Sequence, residues 1–361
     1  MKLHELDTPA LTIDLDVMHR NLDRMGEYCR SHHLELRPHT KTHKIPELAR
    51  QQLQSGATGL TVAKIGEAEV MSQDGLDDLL LAYPPFGETK ARRLHEVLER
   101  SRLAVSLDSE DSAEWTSRAA NGKTIDVLVE LDLGMRRCGV SPGGEAVELA
   151  RRIEVKPGLR FAGIMFYPGH LHPAGNGDDR ALEQLNSTLQ QQLELFRQEK
   201  IPVQRVSGGS TPSAFYSHCI QGLTEIRPGT YIFNDRNTIE WKACTEEDCA
   251  ASILARVVST AVPGQAIIDA GSKTFTSDLL RGQPGQGFGL IKDHPDIEFF
   301  ALNEEHGYLR LPAGQELALG QFLQIIPNHI CVAVNMHEQV YGYRGSEVLH
   351  EWPVKARGKI R

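Results

Sequence analysis

No run of about 18 apolar residues occurs in the sequence, so it offers no candidate for a membrane-spanning helix. Nor do the first residues, "MKLHELDTPALTIDL", carry the charged start, apolar run and small-residue cleavage site of a secretory signal; the expected location is cytoplasmic. Cysteine is sparse. Cys29, Cys138, Cys219, Cys244, Cys249 and Cys331 are scattered over 361 residues without the density of a disulfide scaffold, and reduced thiols are expected. Positive charge is also in deficit, with 39 Lys and Arg against 48 Asp and Glu and a formal net charge of -9. That balance argues against nucleic acid as the main partner, because phosphate binding needs a basic face. Internal repeats, low-complexity tracts and long linkers are missing as well. What remains is a chain of 40% hydrophobic and 24% charged residues, long enough for a large domain and a smaller one, with a small molecule as its expected ligand.

Short β-rich runs alternate with helical patterns through the first two thirds. The spacing predicts strands at 34–38, 59–63, 79–83, 103–107, 125–132, 160–167, 203–208 and 223–229. Amphipathic helices fill the intervals, such as 16–32, where Met18, Leu22, Met25 and Tyr28 recur at helical spacing, and 182–200. Eight such units predict an α/β fold, a (β/α)8 TIM barrel, whose chemistry sits where strands end and loops begin. Past about residue 242, "ASILARVVSTAVPGQAIIDAG", "LALGQFLQIIPNHICVAV" and "EQVYGY" read as strands joined by Gly/Pro turns. The expected division is a barrel over 13–242 and a second, C-terminal β-rich domain over 243–361.

Four clusters carry chemistry. "LRPHTKTHK" (36–44) follows the first barrel strand and crowds Arg37, His39, Lys41, His43 and Lys44 together. A lysine among cations sheds its proton more readily and can form a Schiff base; the competing reading is a solvated basic turn. "VSGGSTPSAF" (206–215) offers two glycines, Ser210, Thr211 and a helix-starting Pro212, and "EIRPGTY" (225–231) offers Gly229 and Thr230 at the adjacent rim. Small residues, hydroxyls and a helix N-terminus suit a phosphate. Together with the lysine they suggest pyridoxal 5'-phosphate. "LDLGMRRCGV" (131–140) supplies an arginine for the cofactor phenolate or a substrate carboxylate. In "PNHICVAVN" (327–335), His329 and Cys331 alternate along an expected strand and so share a face. Nitrogen plus thiolate suits zinc better than magnesium or calcium, although an isolated H-x-C is more often a buried cysteine beside an unrelated histidine. Tyr167, His170 and His172 in "FYPGHLH" face the expected barrel mouth, while Asp269, Glu305 and His306 are ambiguous.

The ordered motifs "TPALTIDLD", "LRPHTKTHK", "LLLAYP", "SGGSTPS", "EIRPGTYIFND", "DAGSKTFTSD", "EEHG" and "PNHICVAVN" resemble the D-threonine aldolase and D-serine dehydratase family of alanine-racemase-like, fold-type III pyridoxal-phosphate enzymes, across nearly the whole chain. The resemblance implies that Lys41 carries the Schiff base, that Arg137 rather than Arg136 is the cofactor-side arginine, and that Ser210, Thr211, Gly229 and Thr230 hold the phosphate with Tyr231 near the ring. It makes His329 and Cys331 the metal pair, for zinc first and manganese or magnesium next. It also implies a homodimer, with residues 1–12 joining the β-rich domain. Relatives with H-x-D at the metal pair are D-threonine aldolases and those with H-x-C are D-serine dehydratases, so the cysteine leans the expectation toward dehydration. The implied activity is a lyase on β-hydroxy-D-amino acids, giving a 2-oxo acid and ammonia or, with His170 or His172 as base, glycine and an aldehyde. An amino-acid racemase and a non-catalytic pyridoxal-phosphate carrier are the alternatives.

Overall fold

A first strand, β1 (Ala10–Asp14), is followed by eight short strands that alternate with helices: β2 (Glu35–Leu36), β3 (Leu60–Val62), β4 (Asp78–Leu81), β5 (Arg102–Leu107), β6 (Ile125–Leu131), β7 (Leu159–Phe166), β8 (Arg205–Gly208) and β9 (Glu225–Ile226). These eight match the strands expected from the alternating pattern. The computed structural model describes residues 1–171, 180–281 and 285–361. Every pairing among β2–β9 is parallel, in the order β2-β9-β8-β7-β6-β5-β4-β3. The two end strands then meet. Thr61 N–H donates to Pro38 O at 2.8 Å, Thr40 N–H donates to Thr61 O at 2.9 Å, and His39 and Thr61 form a parallel bridge. The sheet therefore closes on itself as the (β/α)8 barrel.

The helices form for local reasons, as Glu110–Ala120 illustrates. Ser109 caps it by accepting from Ser112 N–H, Glu110 and Asp111 favour its positive first turn, and left-handed Asn121 ends it. Ala113, Thr116, Ala119 and Ala120 form its buried stripe. The strands are buried on both faces, as parallel strands wrapped by helices must be. Leu80, Ala104, Leu128, Ala162 and Met165 pack as one cluster. Ala104 and Leu128 lie two residues before Ser106 and Glu130, so the cluster shares its sheet face with the hydrogen bond those two make at 2.9 Å. Gly163 is required on β7: its φ is +149°, and a Cβ there would lie 1.9 Å from Arg205 O.

Beyond the barrel come β10 (Ala251–Ser259), β11 (Gln265–Ile268), β12 (Gly289–Ile291), β13 (Glu298–Leu302), β14 (Gly307–Arg310), β15 (Phe322–Pro327), β16 (Gln339–Arg344) and β17 (Glu347–Pro353). They join β1 in a mixed sheet of order β13-β14-β11-β10-β1-β16-β17, with β15 pairing β10 and β12. Contacts divide the chain into a barrel unit of Arg24–Lys41, Pro46–Gly229 and Gly358–Arg361, and a β-rich unit of Met1–Asp23, Thr42–Ile45 and Thr230–Arg357. Beyond the expected residues 1–12 and 243–361, the β-rich unit also takes 13–23, 42–45 and 230–242 from the expected barrel of 13–242, while 358–361 leave it. The reason lies in hydrogen bonding. β1 pairs with both β10 and β16, Phe233 O accepts from Ala250 N–H at 2.7 Å, and Asn237 Nδ2 donates to Asn328 O at 2.6 Å. The last four residues go the other way, since Arg361 O accepts from Gly66 N–H at 3.0 Å.

Leu128 is fully buried in the barrel cluster. Leu128→Ala is expected to cost about 2–5 kcal/mol through lost transfer energy and an unfilled cavity. The check is the shift in the urea unfolding transition; an unchanged midpoint would contradict this packing.

Candidate active site

The basic run after β2 does not behave as one patch. Arg37 turns into a buried pairing, its Nε 2.7 Å from Glu225 Oε2 and its Nη1 2.5 Å from Asp78 Oδ1. Burial opposes its charge, but the two carboxylates outweigh that and raise its pKa. His43 is fully buried, and its Nδ1 accepts from Ile45 N–H at 3.0 Å. Lys44 Nζ donates to Asn335 Oδ1 at 2.9 Å. The competing idea of a solvated turn is therefore wrong: Arg37, His39, Thr40, Thr42, His43 and Lys44 are all buried, and Lys41 is half-buried. The unit division falls between Lys41 and Thr42, and again between Gly229 and Thr230.

In the barrel unit, Lys41 Nζ lies 6.0 Å from the Tyr167 ring centroid, and Arg137 Cζ lies 4.6 Å from the same centroid. Both are within or near cation–π range. Arg137, selected by resemblance, thus joins Lys41 and Tyr167, and its Nη2 lies 3.7 Å from Glu130 Oε1. Glu130 is buried; desolvation raises its pKa, against the Ser106 hydrogen bond and the nearby Arg137 and Arg227 guanidiniums. Arg227 follows β9, donates to Ser207 Oγ at 2.5 Å and to Phe166 O at 3.0 Å, and is lowered by burial to about 10. Glu225 is fully buried and accepts from Ser207 Oγ at 2.5 Å. Glu130, Glu225 and Arg227 escaped the motif reading. Their signal was charge inside otherwise apolar strands, "IDVLVELD" and "LTEIRPG".

The expected phosphate loop has small residues where bulk would collide. A Cβ on Gly208 would lie 2.5 Å from Phe166 Cζ, and Gly209 has φ +85°. Ser210 and Ser213 hydroxyls lie 2.9 Å apart, and Thr211 Oγ1 accepts from Gly229 N–H at 3.2 Å. The expected helix after Pro212 is a six-residue 3-10 turn, Ala214–Cys219, whose cap Ser213 makes no side-chain cap hydrogen bond. Hydroxyls rather than an α-helix terminus are what this loop offers an anion. The glycines, buried hydroxyls and half-buried lysine fit a phosphorylated aldehyde cofactor. Thr230 and Tyr231 begin a 3-10 turn in the β-rich unit, with Tyr231 buried.

His170 is exposed and lies against the loop that carries Arg137, its Nε2 3.1 Å from where a Cβ of Gly134 would stand. His172 lies outside the described residues. Asp269 is a structural hydrogen-bonding group, accepting from Thr8 Oγ1 and Arg256 N–H. Glu305 pairs with Lys273 at 2.7 Å, and His306 is exposed.

The H-x-C pair is not on a strand. β15 ends at Pro327, and His329 is the cap residue of a short helix, Ile330–Met336, with Cys331 in its first turn. The helix begins here because buried Asp235 accepts Ile330 N–H at 3.1 Å through Oδ2, supplying negative charge to the helix start. Burial raises the Asp235 pKa, opposed chiefly by His329. His329 and Cys331 nevertheless interact. Burial works against charge on the imidazole, yet Cys331 and Asp235 push it up to about 9. Burial likewise opposes the thiolate, yet His329 brings the Cys331 pKa down. His329 Nδ1 is buried without a hydrogen-bond partner. A buried ring nitrogen without a hydrogen-bond partner beside a thiol is a donor set that fits a soft divalent cation, which binds as both groups give up their protons. Among the described residues, no group of three or more His, Cys, Asp or Glu side chains forms a candidate metal cage.

The chain is similar to known proteins over nearly its whole length. Residues 13–237 match the family model of the alanine racemase N-terminal domain, and residues 250–343 that of a serine dehydratase domain. D-threonine aldolase of Arthrobacter sp is 32% identical over 99% of this chain and 95% of its own length. The crystal structure of D-threonine aldolase from Filomicrobium marinum has a TM-score of 0.92 at 33% identity, covering 100% of this chain and 98% of that one. D-threo-3-hydroxyaspartate dehydratase from Delftia sp. HT23 has a TM-score of 0.87 at 30% identity, covering 98% of both. Structures of that dehydratase include an alanine variant of a histidine and one of the cysteine two residues later, the latter in the metal-free form.

In the metal-free protein, His329 is expected to lower the pH at which the Cys331 thiol ionises, against the burial that opposes it. That support is lost above about pH 9, where the His329 imidazolium gives up its proton. Iodoacetamide at pH 7 should label Cys331, and His329→Ala should slow labelling about tenfold per unit by which the thiol pKa rises. Equal rates in the two proteins would contradict the pairing.

Proposed function

The chain belongs to the D-threonine aldolase and D-serine dehydratase family of alanine-racemase-like proteins, and from that premise we propose that it is a pyridoxal-phosphate- and metal-dependent lyase acting on β-hydroxy-D-amino acids, with dehydration as its first reaction. The observation that carries this reading is the H-x-C pair: a buried, unpartnered His329 Nδ1 beside the Cys331 thiol. It matches the histidine and cysteine spacing altered in the related dehydratase, whose cysteine variant is metal-free.

Lys41 would hold pyridoxal phosphate through its amine, with Ser210, Thr211, Gly229, Thr230 and Tyr231 around the phosphate and ring. When bound, the cofactor supplies an electron sink for the bond broken at Cα. The free Lys41 Nζ would serve as the base that accepts the Cα proton. Arg137 offers its planar fork to a phenolate or carboxylate, and stacking on Tyr167 limits the planes that fork can occupy. Glu130, buried and bonded to Ser106, restrains one edge of the same guanidinium. His329 and Cys331 would hold a divalent cation, zinc by the softness of the thiolate, which supplies Lewis acidity at the β-hydroxyl. Loss of the α-proton and then of that hydroxide would leave an enamine, which tautomerises to an imine and is hydrolysed by water to the 2-oxo acid and ammonia. A cytoplasmic homodimer belongs to the same proposal.

A second reading, retro-aldol cleavage to glycine and an aldehyde, is favoured by the TM-score of 0.92 to a D-threonine aldolase. There the β-hydroxyl proton leaves instead, with His170 or His172 as base.

Lys41→Ala is expected to lose the visible Schiff-base absorbance of the cofactor-loaded protein and to lower turnover by about 10²–10⁴-fold through the missing acid–base group. Retained absorbance would remove Lys41 from the role. Chelation should abolish turnover, and zinc should restore it. Pyruvate from D-serine identifies the dehydratase, while glycine and acetaldehyde from D-threonine identify the aldolase. Turnover that survives full metal removal would overturn the metal-dependent mechanism.

A further inference from the structure

Thr42, the residue after Lys41, is fully buried, and its Oγ1 lies 3.2 Å from Cys331 Sγ. Two residues on, Lys44 Nζ donates to Asn335 Oδ1 at 2.9 Å, and Lys44 O accepts from Ala356 N–H at 3.1 Å. Cys331 and Asn335 are four residues apart on the helix Ile330–Met336, so they occupy one face of it. The strip 42–44 is thus pinned to that face at two points one turn apart, and all of these groups belong to the β-rich unit.

The chemistry at sulfur gives the contact a direction. Thr230 Oγ1 also approaches Cys331 Sγ, at 3.5 Å. A protonated thiol can donate to one of the two oxygens, but a thiolate only accepts. Once the proton leaves, both hydroxyls must turn to donate. Each O–H then draws charge from the sulfur and occupies part of its lone-pair space, leaving fewer directions for a cation. Outer partners of this kind orient metal ligands and tune their donor strength.

We infer that Thr42 is a positioning residue for the metal thiolate: its hydroxyl holds Cys331 Sγ in its ligating orientation and moderates the charge the sulfur donates. Thr230 assists from the longer distance. The inference rests on His329 and Cys331 being the metal pair.

The test uses the full-length, metal-stripped protein as wild type, Thr42→Val, Thr42→Ser, Thr230→Val and Cys331→Ala. Zinc affinity is measured by competition with a chromophoric chelator, and the thiolate-to-metal charge-transfer band is read after loading cobalt(II). Thr42→Val is expected to bind zinc about tenfold more weakly, the lost orientation of Sγ outweighing the stronger donor that the freed sulfur becomes, in the range of lost outer-sphere partners. Its cobalt band should move to longer wavelength, because a sulfur without its donor is more easily oxidised. Thr42→Ser should restore both readouts, which a role confined to packing would not produce. Thr230→Val should shift the band in the same direction but by less, and it keeps the test open if Thr42→Val does not fold. Wild-type affinity and band position in Thr42→Val, or a larger shift in Thr230→Val, would overturn the inference while leaving the metal pair intact. Wild-type zinc affinity in Cys331→Ala would remove the metal pair itself, and the inference with it.

Discussion

Closure of the barrel at Thr61 is the constraint on which the rest depends. Two backbone hydrogen bonds, from Thr61 N–H to Pro38 O and from Thr40 N–H to Thr61 O, tie the segment after β2 to β3. Without them the eight-stranded sheet would have free edges, and the residues just before Lys41 would belong to an unpaired loop. With them, His39 is in register with Thr61, and Lys41 starts from a backbone fixed on one side. A group that must present an amine reproducibly needs such support, because loops alone leave several directions open.

The second determinant is how buried charge is satisfied at the strand ends. Arg37 pairs with Glu225 and Asp78; Glu225 also accepts from Ser207, which in turn accepts from Arg227. Glu130 is held by Ser106 and faces Arg137. A charge stripped of water is costly unless paired and hydrogen-bonded, and removing one partner leaves the other stranded. These pairings explain why charged residues sit inside strands that are otherwise apolar. They also leave the Arg137 guanidinium half-exposed over Tyr167.

In the β-rich unit the organising group is Asp235. It caps its own helical turn by accepting from Thr238 N–H at 2.9 Å, and its other oxygen receives Ile330 N–H at 3.1 Å. One buried carboxylate thereby starts two helices and lends negative charge to His329. The imidazole and the thiol therefore each shift the other toward its charged form, against the burial that opposes both.

The sequence by itself determined the eight alternating units and the change of texture into a β-rich region, because period and turn residues are local properties; for Lys41, Arg137, His329 and Cys331 it offered candidates through motif order and family resemblance. It misread the surroundings of two of them. Alternation made His329 and Cys331 strand neighbours, whereas Pro327 ends β15 and Asp235, some ninety residues earlier, begins a helix there. The basic run looked like one electrostatic cluster, yet Arg37 and Lys44 are each taken by a different partner, Glu225 and Asn335, distant in the chain. The unit limits differ from the expected ones for the same reason: the end of β1 and residues 230–242 are joined by hydrogen bonds to β10, β16 and Asn328. Only tertiary structure decides which remote group satisfies a buried donor or charge. That choice separates a motif from a site.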